Sequence, residues 1–474
     1  MPITLTGHTL TLDELLQVAR GGEQVELDEE VAGRVRAARA LIEEAVPGEP
    51  VYGLTTGVGV RKRTRVPAED LVEFNRRLIL EHRVGQGEPA PQDVVRAQLL
   101  LIVNAFARGT AGVRLELLQH LVSRLNDGIV PTVRTLGSLG MSDLPANADL
   151  AHGVLGGFEL AAKEGLALLN HDGFSTALSA LAFADAERLL ASLDVAAALD
   201  LEAFAANVGT LRASTRLRRL LAGSYLWEPG AARNLQDPLS FRCIPQVHGA
   251  AEVGFAFARA RIADELNRSQ ENPIVLVDEG RIVPVGNFDV VALAQAVDFA
   301  RIVLVPVLSS ASERSVKLLQ APLTGLPEGL AAESGLPESG LSEFGVPLQA
   351  LAAEARLLAQ PVSVETGSSS HHEGIEDRIT LAPLGARRLA AMTELGERLA
   401  AIELVLAAQA VDLRGRPRLG TATGAAYEQV RQLVPATARG EPPPQDLEPV
   451  RELVRSGVIA HLAHEAVHDM HEDV

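Results

Sequence analysis

Apolar residues recur every three or four positions over most of this chain, a spacing typical of helices that bury one face. The pattern predicts helices over residues 70–126, 175–223, 246–270, 290–319, 347–360, 381–412 and from 447 to about 471. Glycine and proline interrupt the first of these stretches between residues 85 and 91 and near Gly109. Two further helices are predicted to start after Thr11 and after Asp28. We therefore predict an all-α protein, a bundle of long helices with its loops gathered at one end.

Short β-branched stretches predict only small β elements. Residues 3–5 and 8–12 predict a β pair, and the runs on either side of Glu279-Gly280 predict a small hairpin. No strong domain boundary is visible before residue 440. We divide the chain into residues 1–200, a mainly helical domain carrying the functional loops, and residues 201–474, a central long-helix bundle with a C-terminal helical segment.

The composition narrows the class of protein. Hydrophobic residues make up 47% of the chain and aromatic residues only 3%, which favours aliphatic helix packing over a β-sandwich. The net charge of −18 argues against a nucleic-acid partner. A single cysteine, Cys243, fits a reducing compartment. No signal peptide and no apolar run approaching ~20 residues is recognisable, so we expect a cytoplasmic protein without a membrane span.

Blocks of glycine and polar residues stand between about residues 50 and 415. The main ones are Tyr52–Gly59 (YGLTTGVG), Glu81–Gly87 (EHRVGQG), Asn104–Gly109 (NAFARG), Glu164–Asn170 (EGLALLN) and Gln236–Gly249 (QDPLSFRCIPQVHG). Each resembles a motif of the histidine and phenylalanine ammonia-lyases, and the order is the same as in that family. The resemblance implies the family's fold, a fumarase/aspartase-like bundle of long near-parallel helices with a loop-built active site. It also implies a homotetramer with active sites shared between subunits, acting on a small amino-acid-like substrate with a carboxylate.

The stretch 137–152, GSLGMSDLPANADLAH, resembles the family's catalytic loop at both ends. In the family, an Ala-Ser-Gly tripeptide of this loop loses two waters and cyclises to the methylidene-imidazolone group (MIO), the electrophile of the reaction. The corresponding residues here are Met141, Ser142 and Asp143, and the other possible register, residues 146–148, also lacks Ser-Gly. Glycine suits this cyclisation because it has no side chain. We therefore expect no MIO, and no other cofactor.

The resemblance assigns the two main chemical roles to a tyrosine and an arginine. Tyr52 matches the base that removes the β-proton, although a phenol with a pKa near ~10 needs a lower value to work near neutral pH. Arg242 matches the arginine that clamps the substrate carboxylate, for which a two-donor guanidinium is well shaped. Loop packing for Tyr52 and a structural ion pair for Arg242 are the alternative interpretations.

Four further residues match positions around the substrate. His82 matches the residue that contacts the substrate ring, and Glu376 matches the glutamate near the imidazole in the histidine-specific enzymes. Asn170 and Gln236 match amides that surround the substrate and the electrophile, and each could instead form loop hydrogen bonds. His82 and Glu376 together favour a polar, imidazole-like ring in the substrate.

The departures from the family gather where the electrophile would act. Leu239 replaces a tyrosine, Ile375 a glutamine, Arg378 a histidine, and Asp289 stands where a histidine often follows Gly-Asn-Phe. This pattern favours altered chemistry.

Our hypothesis is an MIO-independent carbon–nitrogen (or carbon–heteroatom) lyase that catalyses β-elimination from an amino-acid-derived carboxylate. A histidine-derived betaine is one such substrate, as in the MIO-free ergothionases. Two alternatives stay open: a catalytically silent binding protein of this family, and a conventional histidine or aromatic amino acid ammonia-lyase in which Ser142 cyclises with Asp143.

A zinc-protease-like pattern, His464-Glu-Ala-Val-His468, places two imidazoles on one helix face. It lies at the C-terminal end of the sequence with no sign of a catalytic domain around it. We interpret it as an exposed polar helix face and predict no metal site.

Overall fold

The computed structural model describes residues 2–46, 48–209, 214–335, 337–364 and 371–468, and most of these residues are helical. The α-helices, in chain order, are α1 (Leu12–Leu16), α2 (Val31–Ala45), α3 (Leu71–Glu81), α4 (Gln92–Ala107), α5 (Leu115–Asn126), α6 (Leu144–Leu155), α7 (Glu164–Leu169), α8 (Gly173–Phe204), α9 (Thr215–Leu220), α10 (Leu239–Arg242), α11 (Ile244–Glu265), α12 (Val291–Leu318), α13 (Ala321–Thr324), α14 (Gly345–Leu358), α15 (Ala382–Leu413), α16 (Thr421–Leu433), α17 (Glu448–Arg455) and α18 (Val458–His468). The strands are β1 (Ile3–Leu5), β2 (Val25–Leu27), β3 (Gln86–Pro89), β4 (Arg134–Leu136), β5 (Ile274–Leu276) and β6 (Arg281–Val283). The all-α prediction is confirmed.

The long helices lie where the apolar spacing predicts them, and the differences are at their ends. The stretch predicted as helix over 175–223 is α8, which ends at Phe204, followed by the short α9; residues 210–213 lie outside the described residues. The last predicted helix is two helices, α17 and α18, because Gly457 between them has φ 90°, a conformation that favours glycine and ends a helix. The rest of that prediction, residues 469–471, also lies outside the described residues.

The small β elements pair differently from the prediction at the N-terminus. β1 pairs in parallel with β2, with Ile3 opposite Val25, so the predicted partner strand at residues 8–12 is wrong. Within that stretch, Thr11 accepts the amide of Glu14 and Glu14 accepts the amide of Thr11, the reciprocal capping box that starts α1. β5 and β6 form the predicted antiparallel hairpin.

The chain divides into two compact units, each built from three separate segments. The first comprises Met1–Leu181, Phe257–Asp298 and Pro361–Arg387. One of its cores packs Ala38 and Ile42 of α2 against Leu54, Leu71 and Val275 of the hairpin. This core fixes the start of the Tyr52 block, because Leu54 is fully buried in it. The predicted division at residue 200 stays a prediction.

The second unit comprises Ala182–Ala256, Phe299–Gln360 and Arg388–Val474. At its centre the fully buried Arg314 donates to Asp200 at 3.0 Å and to Glu403 at 2.7 Å. Burial, with the neighbouring Glu403 carboxylate, raises the pKa of Asp200 well above its ordinary value. One guanidinium thus faces two acids, and the raised pKa of Asp200 favours its protonated form, which reduces the charge buried in the cluster.

Among the described residues, one helix is long and apolar enough to cross a membrane by length and composition alone. This is α12, whose most apolar window has a mean hydropathy of 1.9 and is 56% buried within the protein. A single such helix is a weak indication, because the core helices of water-soluble proteins pass the same test.

Candidate active site

The Tyr52 block forms a tight loop between α2 and α3. Gly53 has φ 66°, and a Cβ at that position would collide with the side chain of Leu166, so only glycine fits there. The hydroxyl of Thr55 accepts the amide of Val51 at 2.9 Å. The Tyr52 hydroxyl accepts a hydrogen bond from the amide of Gly59 at 3.0 Å. The loop therefore folds back on its own tyrosine and fixes the position of the phenol oxygen.

The environment of Tyr52 raises its pKa. Burial is the largest cause, the Gly59 amide acts in the opposite direction, and the nearby Glu376 carboxylate raises the pKa further. The amide therefore favours a phenolate, but burial outweighs it. The phenol is protonated at neutral pH, and any role as a base requires a change of its surroundings or a high pH.

The residues at the MIO position are held individually by other parts of the first unit. Met141 forms an antiparallel bridge with the backbone of Asp289. Ser142 has φ 60°, its amide donates to the Asp172 carboxyl at 2.8 Å, and its hydroxyl donates to the Asn170 side-chain oxygen. Asn170 in turn donates to the carbonyl of Asn272 at 3.0 Å.

Asp143 holds the start of a helix. Its carboxylate accepts the Ser175 amide at 2.6 Å and the Ser175 hydroxyl at 2.7 Å, and it also accepts the Ser138 hydroxyl and the Phe174 amide. Ser175 lies in the first turn of α8, where amides lack partners within the helix and a carboxylate is favourable. Burial raises the pKa of Asp143, while these hydrogen bonds act in the opposite direction.

These contacts do not fit a cyclised tripeptide. Formation of the ring would require the amide nitrogen of residue 143 to attack the carbonyl of residue 141. Here residue 143 carries a side chain that is buried and tied to α8, and residues 141 and 142 have their own backbone partners. Bringing the two atoms together would break several of these hydrogen bonds in an interior where lost partners are costly.

The sequence motif that ends at Asn170 gave no indication of the next two residues, His171 and Asp172, which lie behind this loop. Asp172 is fully buried; its Oδ2 atom has no hydrogen-bond partner in the described chain. Burial, then the Asp143 and Glu265 charges, raise the pKa of Asp172 well above its ordinary value, which favours its protonated form. Burial also lowers the pKa of the neighbouring His171 to about 3, so that it stays neutral. The sequence feature that could have pointed to them is the His-Asp pair directly after the apolar block 164–170.

Glu376 and His82 lie at the edges of the same unit. Glu376 is exposed, and its charge acts on Tyr52. His82 ends α3, and its Nδ1 atom lies 2.7 Å from the carbonyl of Leu78. A carbonyl only accepts, so Nδ1 carries the hydrogen. The next residue, Arg83, pairs with Asp149 of α6 at 3.5 Å, which ties the end of α3 to the helix that follows the 137–143 loop.

Gln236 and Arg242 lie in the second unit, and they contact each other. With the Gln236 amide turned so that its oxygen faces the guanidinium, that oxygen accepts from both terminal nitrogens of Arg242 at 3.0 and 3.1 Å. Arg242 Nε donates to the carbonyl of Asp237 at 2.7 Å. The guanidinium is therefore oriented by its own loop and is not paired with a carboxylate by any of these bonds.

The structure links most of the predicted residues in two groups. In the first unit, Ser142 contacts Asn170, and the charge of Glu376 acts on Tyr52; in the second, Gln236 contacts Arg242. The roles assigned to these residues stay predictions. Within the described residues no three histidine, cysteine or acidic side chains are grouped as metal ligands, and the side chain of His468, part of the zinc-like pattern, lies outside them.

The chain matches the family model for aromatic amino acid lyases over residues 10–160 and 144–432. It is 38% identical to the histidine ammonia-lyase of Myxococcus xanthus, over 96% of this chain and 97% of that protein. It is 34% identical to the histidine ammonia-lyase of Streptococcus gordonii, over 91% of each.

Two solved structures have the same fold. The ergothionase of Treponema denticola, an ergothioneine-degrading enzyme, superimposes with a TM-score of 0.89 at 27% identity, over 97% of this chain and 99% of that one. The histidine ammonia-lyase of Trypanosoma cruzi superimposes with a TM-score of 0.88 at 30% identity, over 99% of this chain and 96% of that one. The family and the lyase class predicted from the sequence motifs are thereby confirmed: this chain is a carbon–nitrogen lyase that belongs to the aromatic amino acid lyase family.

Proposed function

We propose that this lyase works without MIO and catalyses β-elimination from an amino-acid-derived carboxylate. The observation that carries the proposal is that the Asp143 side chain is bound to the start of α8. Its carboxylate stabilises the start of α8 through Ser175 and Phe174, so the residue that the family needs as a bare glycine has a structural task that requires its side chain. We propose that Met141, Ser142 and Asp143 stay an ordinary peptide and that the protein needs no other cofactor.

An elimination without an electrophile restricts the leaving group. Ammonia is a poor leaving group and the β-proton of an amino acid is weakly acidic. The substrate must therefore carry a better leaving group than ammonia. A quaternary ammonium does so because it leaves as a neutral tertiary amine. A histidine-derived betaine combines this group with an imidazole-type ring, for which His82 and Glu376 are the proposed contacts. The similarity to an ergothioneine-degrading enzyme supports this substrate class.

The residues of this chain divide the work as follows. Tyr52, as the phenolate, removes the β-proton; the Gly59 amide at 3.0 Å stabilises the charge on its oxygen. Displacement of solvent by a cationic substrate next to the phenol would favour the phenolate and offset the effect of Glu376. Arg242, oriented by Gln236 and by the Asp237 carbonyl, holds the substrate carboxylate. Asn170 fixes Ser142 in the loop that faces the substrate.

The direct test is turnover. Purified protein is incubated with ergothioneine, histidine, phenylalanine and tyrosine while the ultraviolet absorbance of an acrylate product is followed. We expect an acrylate and a tertiary amine from the betaine and none from the three amino acids. The Tyr52→Phe variant should be inactive. No turnover of any of the four by the intact protein would count against the proposal.

A conventional histidine ammonia-lyase is the second candidate, because curated relatives at 34–38% identity carry that name. It requires cyclisation of residues 141–143, which removes two waters from the chain. Intact mass spectrometry separates the two candidates: we expect the unmodified mass, whereas a loss of two waters together with histidine turnover would establish the conventional enzyme.

We also propose that the protein is a homotetramer whose active sites are shared between subunits, in the cytoplasm. The supporting feature is the exposure of apolar side chains beside the proposed carboxylate clamp. Leu235 is 99% exposed and Leu239 is 63% exposed, on either side of Gln236. Large apolar groups so fully exposed are typical of surfaces that another protein covers.

A further inference from the structure

A dense basic segment lies next to the Tyr52 loop. Arg61, Lys62, Arg63 and Arg65 place four cations within five residues of a chain whose net charge is −18. The segment begins two residues after Gly59, whose amide contacts the Tyr52 hydroxyl. The charge of this segment is opposite to that of the protein as a whole.

Two cations of this segment contact the carboxylate of Glu373. Glu373 lies 3.5 Å from Lys62 Nζ and 3.4 Å from Arg63 Nη1. Both distances are long for charged hydrogen bonds, and the side chains of Arg63 and Glu373 are 73% and 53% exposed. Two cations thus share one weakly held, exposed carboxylate, so an incoming anion could replace it at little cost.

We propose that residues 61–65 bind an anionic group of the substrate, distinct from the carboxylate predicted for Arg242, and that Glu373 is the counter-ion which this group displaces. The substrate class is then a carboxylate that carries a second anionic group, such as a sulfonate or another carboxylate. This inference rests on the proposed function, because it takes the neighbourhood of Tyr52 as the substrate site.

The local charge favours a small ligand. An exposed basic segment attracts anions over about 10 Å at moderate ionic strength, while the acidic remainder of the protein repels a polyanion. Arg63 is exposed, as are Arg61 and Arg65 of the same segment, and after exchange Lys62 and Arg63 would hold the second anionic group. A substrate with one anionic group gains nothing from this segment once Arg242 is occupied.

The test measures binding and needs no turnover. Two probes are titrated calorimetrically into the intact protein at about 0.01 M and about 0.15 M salt: urocanate, with one carboxylate, and a ring-sulfonated urocanate, with a second anionic group. Lys62→Gln/Arg63→Gln removes the cations and Glu373→Gln removes the counter-ion. The matched control is Arg76→Gln/Arg77→Gln on α3, because those two arginines also share one exposed carboxylate, that of Glu73.

We expect opposite effects from the two sides of the contact. For the sulfonated probe at low salt, the Lys62/Arg63 variant should weaken binding about three- to fivefold and Glu373→Gln should tighten it by a similar factor, the size that an exposed ion pair supplies. The control should not change it, urocanate should respond little, and the preference for the sulfonated probe should shrink at the higher salt.

If both variants changed the affinity for the sulfonated probe in the same direction, the inference would be overturned. A contact that only holds the loop in place is broken equally by removing the cations or by removing Glu373. Equal binding of the two probes would also overturn it. The proposed function is judged separately by turnover: betaine elimination without the opposite effects would reject only this inference, and the opposite effects without any elimination would reject only the proposed function.

Discussion

Arg378 donates a hydrogen bond from Nε to the carboxylate of Asp289 at 2.7 Å. Both residues stand where the ammonia-lyases carry histidines, and 89 positions of sequence separate them. The backbone of Asp289 also pairs with Met141, the first residue of the segment that we propose stays an ordinary peptide at the MIO position. These three residues are therefore one connected structure, which supports the proposal that they belong to a single altered site.

This connection predicts that the Arg378–Asp289 pair positions the 141–143 loop. We expect Asp289→Asn and Arg378→Gln each to lower kcat/KM about two- to fivefold, a small effect because the pair is partly exposed and solvent weakens it. The charge-swapped protein, Asp289→Arg with Arg378→Asp, should recover part of that loss. Hydrogen exchange of the 139–143 amides gives a second measurement that needs no substrate. A swapped protein no better than the single variants would contradict the positioning role.

Asp143 predicts a stability effect of its own. Asp143→Ala removes the acceptor for two amides of the first turn of α8 and leaves them buried, so the free energy of unfolding should fall by about 2 kcal/mol. The control is Asp446→Ala, at the exposed start of α17, where Asp446 accepts the Glu448 amide at 2.9 Å; it should cost only about 0.5 kcal/mol. Urea denaturation measures both. Equal losses would mean that the buried carboxylate has no special role in holding α8.

The fold was largely predictable because helix spacing and the order of the motifs are properties of the sequence itself. The N-terminal strand pair was not, since β1 pairs with β2, some 20 residues away, and Thr11 caps a helix instead of continuing a strand. Local β-branched runs indicate that a strand can form and carry no information about its partner.

The candidate site shows the same limit. The sequence shows Ser-Asp at residues 142 and 143, but it could not show that Asp143 contacts the start of α8, because its partner Ser175 is 32 residues away. Asp172 was missed because the family motif ends before it. The pKa of Tyr52 rises where a fall was needed, since burial depends on packing that no motif describes.

Tyr52 and Glu376 predict a pH dependence of the elimination. A phenol whose pKa is raised above 10 gains its basic form only as the pH rises through that value, so kcat/KM should still increase above pH 10 if the free enzyme's tyrosine is the base. Since the Glu376 charge raises this pKa, Glu376→Gln should move the rising limb to lower pH. Asp377→Asn, which removes an adjacent exposed carboxylate, is the control. A limb that stays in place or moves upward would exclude this coupling.

Leu235 predicts the outcome of an assembly experiment. If another subunit covers this side chain, Leu235→Asp places a charge in an apolar interface and should shift the protein from four-chain particles to smaller ones. Leu235→Met keeps the apolar volume and should leave the assembly unchanged. Light scattering after size-exclusion chromatography gives the particle mass. A wild-type protein that runs as a single chain would remove the basis for shared active sites.

His171 predicts that the folded protein loses stability in mild acid. Its pKa is about 3 in the folded chain and about 6.5 when exposed, so between those values only the unfolded chain binds the proton. The contribution of His171 is complete above about pH 6.5 and declines as the pH falls towards 3, reaching a loss of about 2 kcal/mol at pH 5. Urea titrations at pH 7 and pH 5 should show a smaller difference for His171→Gln than for the wild type. The control is His152→Gln, which changes an exposed histidine of α6 and should leave the stability difference between the two pH values as in the wild type. The same stability difference in all three proteins would mean that the buried imidazole is protonated in the folded state or reaches solvent.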